Sequence, residues 1–325
     1  MSRGAGRARV DYGVTLLFLA CTPANTALES GATAGGDPAD TADTAEVDTA
    51  PPPACSAWGQ PETTGTVLDE TLDEISGVAP SIRNPGTLWV VEDRNNAAAV
   101  VGLDELGNTV LTIELDGVVN EDMEDLDVVP CGETTCIVVA DTGDNGHDRP
   151  DAAFVVFEEP ELGPISLVVE PVSYPFNWPE AAEDNESLTH TNDGRLVMAT
   201  KRNDMTTDVY TIAAFTQGAV PDRLAVIPSA PPDTEGGGTQ VTAISLWPDQ
   251  SSLLVRTYRE AFELVLDGGI DRVRSGVMSP LPFAAIDHVE AVAYDAVRRG
   301  YWTIPESTPA GPSPILFAPC TDGID

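Results

Sequence analysis

The stretch VVADTGDNGHDRPD, residues 138–151, runs from an apolar segment into short polar side chains, among them Asp141, Asp144, Asn145 and Asp148. Carboxylate and amide oxygens at such short spacing are ligands that Ca²⁺ prefers. The stretch lacks the ordered twelve-residue pattern and closing glutamate of an EF-hand. Asp and Asn also form turns by bonding to their own backbone. The sequence favours a strand-ending turn here, with calcium binding and catalysis as the alternatives.

A second set of acids begins short motifs that recur along the chain. Glu124, Glu186 and Glu290 open the motifs EDLD, ESLT and EAVA, and SGVA at 76–79 and TAIS at 242–245 have the same form. A turn and an apolar strand follow each motif, and the copies start 48 to 62 residues apart. Antiparallel four-stranded units at a period of about 50 residues are typical of β-propeller blades. The sequence predicts an all-β fold, a five-bladed β-propeller, with six blades as the alternative.

The predicted ring gives these acids a common place. Innermost strands of a propeller direct alternate side chains toward the central tunnel, so we expect Glu124, Glu186 and Glu290 at one mouth. Charges gathered there must be paired or must bind a cation. Glu306 ends a second strand in the last repeat and joins the candidate ligand-binding set. The basic residues expected to pair with the acids also end second strands: Lys201, Arg202 and Arg256. A structural ring of ion pairs and a ligand or metal site both remain open.

The two ends of the folded region, residues 55–325, indicate that the ring closes. The last repeat lacks one strand, which GTVLDET at 65–71 supplies, and closure removes exposed sheet edges. Cys55 begins this region and Cys320 nearly ends it, while the other two cysteines flank the hairpin-sized GETT. We predict the disulfides Cys55–Cys320 and Cys131–Cys136, with reduced thiols or crossed pairing as alternatives.

The first 54 residues are predicted to lie outside the propeller. Residues 1–20 combine three arginines with a short apolar run, which is typical of an export signal. The ending LFLAC resembles a bacterial lipobox and predicts lipidation of Cys21; ordinary cleavage nearby is the alternative. Residues 21–54 are acidic and poor in large apolar side chains, so we expect a disordered tether. The protein is therefore expected in the bacterial cell envelope, anchored to the outer membrane or cell surface.

The charge balance excludes several classes of partner. The chain has 53 acidic against 16 basic residues and a formal net charge of −37. Such a surface repels phosphate backbones and anionic lipids, so we expect no nucleic acid and membrane contact only through the lipid anchor. No serine-hydrolase elbow, P-loop or dinucleotide fingerprint is present. Calcium is the only cofactor that the sequence suggests.

A family resemblance supports the fold more strongly than an activity. VADTGDN is similar to the strand ends of NHL-repeat propellers. The wider pattern across most of residues 70–306, from EISGVAPSIRNPGTLWVVED to EAVAYD, resembles secreted bacterial propellers related to the esterase-like phytase and SdiA-regulated groups. The resemblance implies a propeller and brings no intact catalytic motif.

Two functional hypotheses follow. The first is a membrane-tethered, exported propeller that acts as a binding module with an acidic, calcium-binding tunnel mouth. The second is a calcium-dependent phosphoester or ester hydrolase, which only the family resemblance implies. The expected ligand is an unidentified small molecule or protein, and we expect a monomer.

Overall fold

Five sheets contain nearly all of the regular structure in the computed structural model, which describes residues 54–149, 152–231, 237–284, 286, 288–306 and 311–322. Within these residues there are 21 strands and one 3₁₀ helix. No helix of this described part is long and apolar enough to cross a membrane. The predicted signal peptide, Cys21 and all of the predicted tether except Ala54 lie outside the described residues.

Each sheet is one blade, and its strands are given from the tunnel outward. Blade 1 contains β2 (Ile75–Pro80), β3 (Thr87–Glu92), β4 (Ala99–Asp104) and β5 (Thr109–Leu115). Blade 2 contains β6 (Met123–Cys131), β7 (Thr134–Asp141), β8 (Ala153–Glu158) and β10 (Val172–Pro175). Blade 3 contains β11 (Thr189–His190), β12 (Arg195–Ala199), β13 (Thr206–Ala213) and β14 (Asp222–Pro228).

The last two blades complete the ring. Blade 4 contains β15 (Val241–Leu246), β16 (Ser252–Thr257), β17 (Ala261–Val265) and β18 (Val277–Pro280), with the 3₁₀ helix Ile270–Ser275 before β18. Blade 5 contains β19 (Val289–Asp295), β20 (Gly300–Pro305), β21 (Pro314–Pro319) and β1 (Glu62–Thr66). The fold is thus the predicted five-bladed propeller, and the six-bladed alternative is excluded.

Apolar packing closes the circle between blades. Five clusters of buried side chains lie one between each pair of neighbouring blades, including one between blades 5 and 1. A strand in the middle of a blade is covered on both faces, which is why β7 and β16 are apolar along most of their length instead of alternating. Burial of both faces fixes the blades around one axis, and so fixes the residues that reach the tunnel.

The two disulfides and the strand that closes the ring agree with the sequence prediction, except that the closing strand lies at different residues. The disulfides Cys55–Cys320 and Cys131–Cys136 are both formed. The closing strand is β1, which pairs with β21 over residues 62–66 rather than 65–71. Beyond Thr66 the chain bonds to the β4–β5 turn of blade 1, where the Leu68 amide donates to the Gly107 carbonyl. The chain therefore leaves blade 5 earlier than its apolar pattern suggests.

One strand pairs with a different blade from the one that its place in the sequence suggests. The segment ISLVVEP, residues 165–171, follows β8 in the chain, so pairing in sequence order would place it next to β8 in blade 2. Instead β9 (Ser166–Val169) crosses to blade 1 and pairs in parallel with β5, and β10 then returns to β8 in blade 2. Outer strands are specified by weak, half-exposed patterns, so their partner cannot be assigned from alternation alone.

The repeat motif corresponds to a β-bulge in four of the five blades. The pairing register shifts at the motif's first residue in β2, β6, β15 and β19. In blade 3 the strand is interrupted there, with an isolated bridge between Asn185 and Thr200 before β11. A bulge leaves one residue unpaired and re-aims its side chain. The first motif residue of each blade is therefore the one that does not pair in the β-ladder.

Candidate functional site

The five first motif residues are polar and almost completely buried: Ser76, Glu124, Glu186, Thr242 and Glu290 are each 5% exposed or less. The Ser76 hydroxyl lies 2.9 Å from Glu124 Oε2 and 3.5 Å from Glu290 Oε2. The charges of Glu186 and Glu290 both act on Glu124. The structure thus brings together the three glutamates that the repeat phase predicts around the tunnel.

Glu186 has the cationic partner that the sequence predicts. Lys201 Nζ forms an ion pair with Glu186 Oε1 and lies 5.4 Å from the Tyr258 ring. Burial opposes the charged form of Lys201, but Glu186 and Tyr258 outweigh it and raise the pKa of the lysine well above its usual range. The other carboxylate oxygen, Glu186 Oε2, is buried without a hydrogen bond. This part of the tunnel is neutralised by a fixed positive charge.

The other two predicted cations do not reach the glutamates. Arg202 pairs instead with Asp204 at 2.6 Å and with Asp208 at 2.9 Å. Arg256 forms no ion pair with a carboxylate of the described residues and packs at 5.5 Å from the Phe283 ring. Arg256 shares one face of β16 with Leu254, which belongs to the apolar layer between blades 4 and 5, so its side chain enters that layer instead of the tunnel.

An acidic cluster forms where blades 1 and 2 meet. Ligand oxygens of Asp93, Asp122 and Glu124 all lie within 4.8 Å of one another. Asp122 is 5% exposed, and its Oδ1 has no hydrogen-bond partner. Arg94, nearly half exposed, approaches the other oxygen of Asp122 at 3.5 Å. One exposed guanidinium therefore faces three carboxylates, two of which are buried.

Glycine makes room for this cluster. A Cβ placed on Gly143 would lie 2.2 Å from Glu124 Oε1 and 2.7 Å from Asp122 Cγ. Any larger residue at this position would displace both carboxylates. The backbone of the DTGDN loop thus approaches the two acids so closely at residue 143 that only glycine fits there.

The acids at this mouth hold protons more firmly than free carboxyl groups. Burial, together with the neighbouring Asp93, raises the pKa of Asp122 to about 7. Burial and four surrounding carboxylates raise the pKa of Glu124 well above its usual range. In blade 5, burial and the adjacent Glu290 raise the pKa of Glu306 to about 8, and His288 Nδ1 lies 3.7 Å from its carboxylate. Glu306 therefore lies beside Glu290, as the shared strand-end position predicts.

The four residues of the 138–151 stretch are placed beside the cluster, where they build a turn. Asp141 Oδ1 accepts from the Asp122 amide and from Arg149. Asp144 accepts from the backbone amides of Asp148 and Arg149 within its own loop. Among the described residues, the carboxylates of Asp141, Asp144 and Asp148 belong to no group of three whose oxygens lie within 4.8 Å of one another. The geometry matches the predicted strand-ending turn.

The loop also borders a cavity of about 390 Å³. Its lining joins the loop to the acidic cluster: Arg94, Glu121, Asp122, Gly143, Asp144, Asn145, Gly146, Asp148 and Arg149. Asn145 and Asp148, both exposed, contribute oxygens at its edge. Residues of the 138–151 stretch therefore line the same cavity as Asp122.

The sequence prediction missed two members of the cluster. Asp122 lies two residues before the EDLD motif, in a loop that no repeat pattern selects. Asp93 follows β3 in the position that Lys201 takes after β12 and Glu306 takes after β20. That shared position was the available signal for Asp93; for Asp122 there was none.

A hard divalent cation fits the residues at this cluster. The donors are carboxylate oxygens, the ligands that Ca²⁺ selects. Asp122 Oδ1 is buried without a partner, and Gly143 leaves a space that a Cβ would fill. Asp93, Asp122 and Glu124 would hold the ion, and its charge would offset the mutual repulsion of the three acids.

Comparisons with known proteins assign no family to the chain. No family model matches the chain, and no curated protein matches it. A PQQ-bound aldose sugar dehydrogenase from Streptomyces coelicolor is 13% identical with a TM-score of 0.45, over 83% of this chain and 99% of that chain. A streptogramin B lyase is 11% identical with a TM-score of 0.43, over 81% and 98% of the two chains. Virginiamycin B lyase from Staphylococcus aureus is 10% identical with a TM-score of 0.42, over 81% and 99%. The cofactor and reactions in these names belong to those proteins.

Proposed function

We propose that this propeller is a binding module whose tunnel mouth holds a divalent cation of the calcium class. One observation carries the proposal: three carboxylates, those of Asp93, Asp122 and Glu124, meet within 4.8 Å, and the buried Oδ1 of Asp122 lacks a hydrogen-bond partner. An unpaired buried acid is costly unless it stays protonated or meets a cation. The adjoining cavity of about 390 Å³ leaves room for the ion's remaining ligands, which come from water or from a bound molecule.

Calcium titration with thermal melting tests this proposal. Because the ion binds only the folded chain, Tm should rise with calcium concentration once divalent ions have been removed by a chelator. Asp122→Asn should abolish that rise, since it removes a charged ligand while keeping the shape of the side chain. Asp267→Asn is the matched control, because Asp267 is an exposed acid of blade 4 and its loss changes the net charge equally. An unchanged response in the Asp122 variant would contradict the proposal.

The pH dependence of binding gives a second test. Asp122 has a pKa of about 7, and the pKa of Glu124 is raised well above its usual range, so the ion must displace protons. We expect calcium affinity to increase as the pH rises from 6 to 8. Isothermal titration in two buffers of different ionisation enthalpy should detect the released protons. Affinity that is flat over this range would place the ion elsewhere.

The hydrolase alternative rests on a different pair of acids. Glu306, with a pKa of about 8, carries a proton at neutral pH beside Glu290, which is the arrangement of a general acid next to a second carboxyl group. The resemblance to esterase-like phytase propellers supports phosphoester or ester substrates. A panel of chromogenic phosphate and carboxylate esters with added calcium tests this alternative, and Glu306→Gln should remove any turnover that the panel reveals.

The export and anchoring expectations complete the proposal. LFLAC, ending at Cys21, supports lipidation, and the two disulfides fit an oxidising compartment. Cys21→Ser should release the protein from the membrane fraction of the bacterial host. Persistence of the variant in that fraction after washing would contradict a lipid anchor at this cysteine.

A further inference from the structure

In blade 4 a guanidinium is buried without an ion pair to any carboxylate of the described residues, although the charge of Glu260 acts on it from further away. Arg256 is 1% exposed, and its Nε and Nη2 atoms have no hydrogen-bond partner. Its cross-strand neighbours on β15 and β17 are Ala243 and Ala261, which offer no polar side chain. Burial lowers the pKa of Arg256 to about 10, so the group is still charged at neutral pH.

Other shielded arginines of this chain are supplied with a carboxylate. Arg149 meets Asp141 at 2.6 Å, and Arg202 meets the buried Asp208 at 2.9 Å. In a chain with 53 acidic residues, an unpaired buried arginine is an exception that calls for an explanation. A buried charge that lacks its partner is strongly destabilising, whereas a bound anion would remove that cost.

The two unpaired nitrogens define the shape of the missing partner. Nε and Nη2 lie along one edge of the planar guanidinium, so their N–H groups point the same way as a two-pronged donor. A carboxylate or a phosphate presents two oxygens at the matching separation, and this bidentate pairing is the strongest that arginine makes. A single-atom anion such as chloride cannot engage both nitrogens in this way.

Aromatic side chains surround the guanidinium. The Phe283 ring, in a residue that is 36% exposed, lies 5.5 Å from Arg256 Cζ. The Tyr301 hydroxyl donates to the carbonyl of Pro282, the residue before Phe283. Two residues beyond Arg256, the Tyr258 ring packs near Lys201 and His288 at the tunnel mouth.

We infer that the Nε–Nη2 edge of Arg256 is an anion-binding site for the carboxylate or phosphate group of a ligand, beside the Phe283 ring. The site is on blades 4 and 5, whereas the proposed cation cluster is on blades 1 and 2. The inference does not depend on the cation, and it extends the ligand class to molecules that carry an oxyanion.

Thermal melting of the whole folded domain in chelator, without divalent ions, tests the inference. Phosphate and acetate are added separately at millimolar concentrations, with chloride at the same ionic strength as the reference. At least one oxyanion should raise Tm by a few degrees with saturation, and chloride should not. The oxyanion with the lower half-saturation concentration identifies phosphate or carboxylate as the preferred group.

Variants separate this site from a general salt effect. Arg256→Met should lose the oxyanion response, and its Tm without anion should equal or exceed that of the parent because an unpaired buried charge has been removed. Arg256→Lys keeps the charge without the two-pronged edge, so its half-saturation concentration should rise at least tenfold. Arg202→Met, which removes a paired arginine, should keep the full response while lowering Tm.

Several outcomes would overturn the inference. An equal oxyanion response in the Arg256→Met variant, or none in the parent up to tens of millimolar, contradicts the site. So does a large loss of Tm in both the Arg256→Met and Glu260→Gln variants without an oxyanion response, because the Glu260 carboxylate, whose charge raises the pKa of Arg256, would then be the counterion. Loss of calcium binding with retained oxyanion binding would contradict only the proposed cation site.

Discussion

Glu124 in blade 2 and Glu186 in blade 3 occupy the same motif position, yet their surroundings are opposite. Glu186 meets the buried ammonium group of Lys201, which ends the second-strand segment of its own blade. In blade 2 the corresponding strand ends at Asp141, which is held by Arg149 and adds no positive charge toward Glu124. Glu124 faces Asp93 and Asp122 instead. The inner strand therefore supplies an acid in both blades, and the end of the next strand decides whether that acid is paired.

The tunnel mouth therefore has a paired side, formed by Glu186 and Lys201, and an acidic side, formed by Asp93, Asp122 and Glu124. On the paired side the fold supplies the Lys201 ammonium group, which opposes the rise that burial causes in the pKa of Glu186. On the acidic side, the balance of charge requires protons or a cation. The same repeat unit thus gives a structural position in one blade and a binding position in its neighbour.

The largest expected effect separates the two sides directly. Lys201→Met should leave Glu186 as an unpaired buried acid and lower the free energy of unfolding by about 3–5 kcal/mol. Glu124→Gln in chelator should change it little, because burial and the neighbouring carboxylates, which raise the pKa of Glu124, already disfavour its charged form, and glutamine keeps the bond from the Ser76 hydroxyl. Denaturant unfolding at pH 7 measures both, and the double variant Glu186→Gln, Lys201→Met should recover most of the lost stability. Equal losses from Lys201→Met and Glu124→Gln would show that the two sides are alike.

The sequence predicts the common part of the two sides better than their difference. Repeat phase alone brings Glu124, Glu186 and Glu290 to one axis, because equivalent residues of successive blades must surround it. The repeat pattern does not predict the direction of a cationic side chain near a strand end. Side chains alternate between the two faces of a strand, and Arg256 lies on the face of β16 that packs between blades 4 and 5. Loop residues such as Asp122 carry no period at all. Their place depends on the tertiary path between blades.

A smaller effect should appear in the dependence of stability on pH. Asp122 and Glu306, with folded pKa values of about 7 and about 8, keep protons that the unfolded chain releases near pH 4. Stability in chelator should therefore be greatest near pH 4–5 and fall as the pH rises toward 8, by at most about 1.4 kcal/mol per pH unit for each group. Denaturant unfolding between pH 5 and 8 measures the slope.

Variants assign that slope to the acidic side. Asp122→Asn and Glu306→Gln should each flatten the decline, because neither replacement titrates. Saturating calcium should also flatten it, since the ion takes the place of the protons. A decline that survives both substitutions unchanged would mean that other groups produce it.

The smallest effect tests the space on which the acidic side depends. In Gly143→Ala the new Cβ would collide with Glu124 Oε1 and the Asp122 carboxyl group, so both must move. Overpacking of this kind costs about 1–3 kcal/mol, and the displaced carboxylates should lose their calcium-dependent rise in Tm. Gly163→Ala is the matched control, because no atom lies within 4 Å of a Cβ there. If Gly143→Ala lowers stability but retains the full calcium response, the acids adapt to the new methyl group and the glycine serves only packing. If Gly143→Ala loses the calcium-dependent rise in Tm while Lys201→Met retains it, the cation site belongs to the acidic side alone. Glu124 and Glu186 would then differ in function, although they occupy the same motif position.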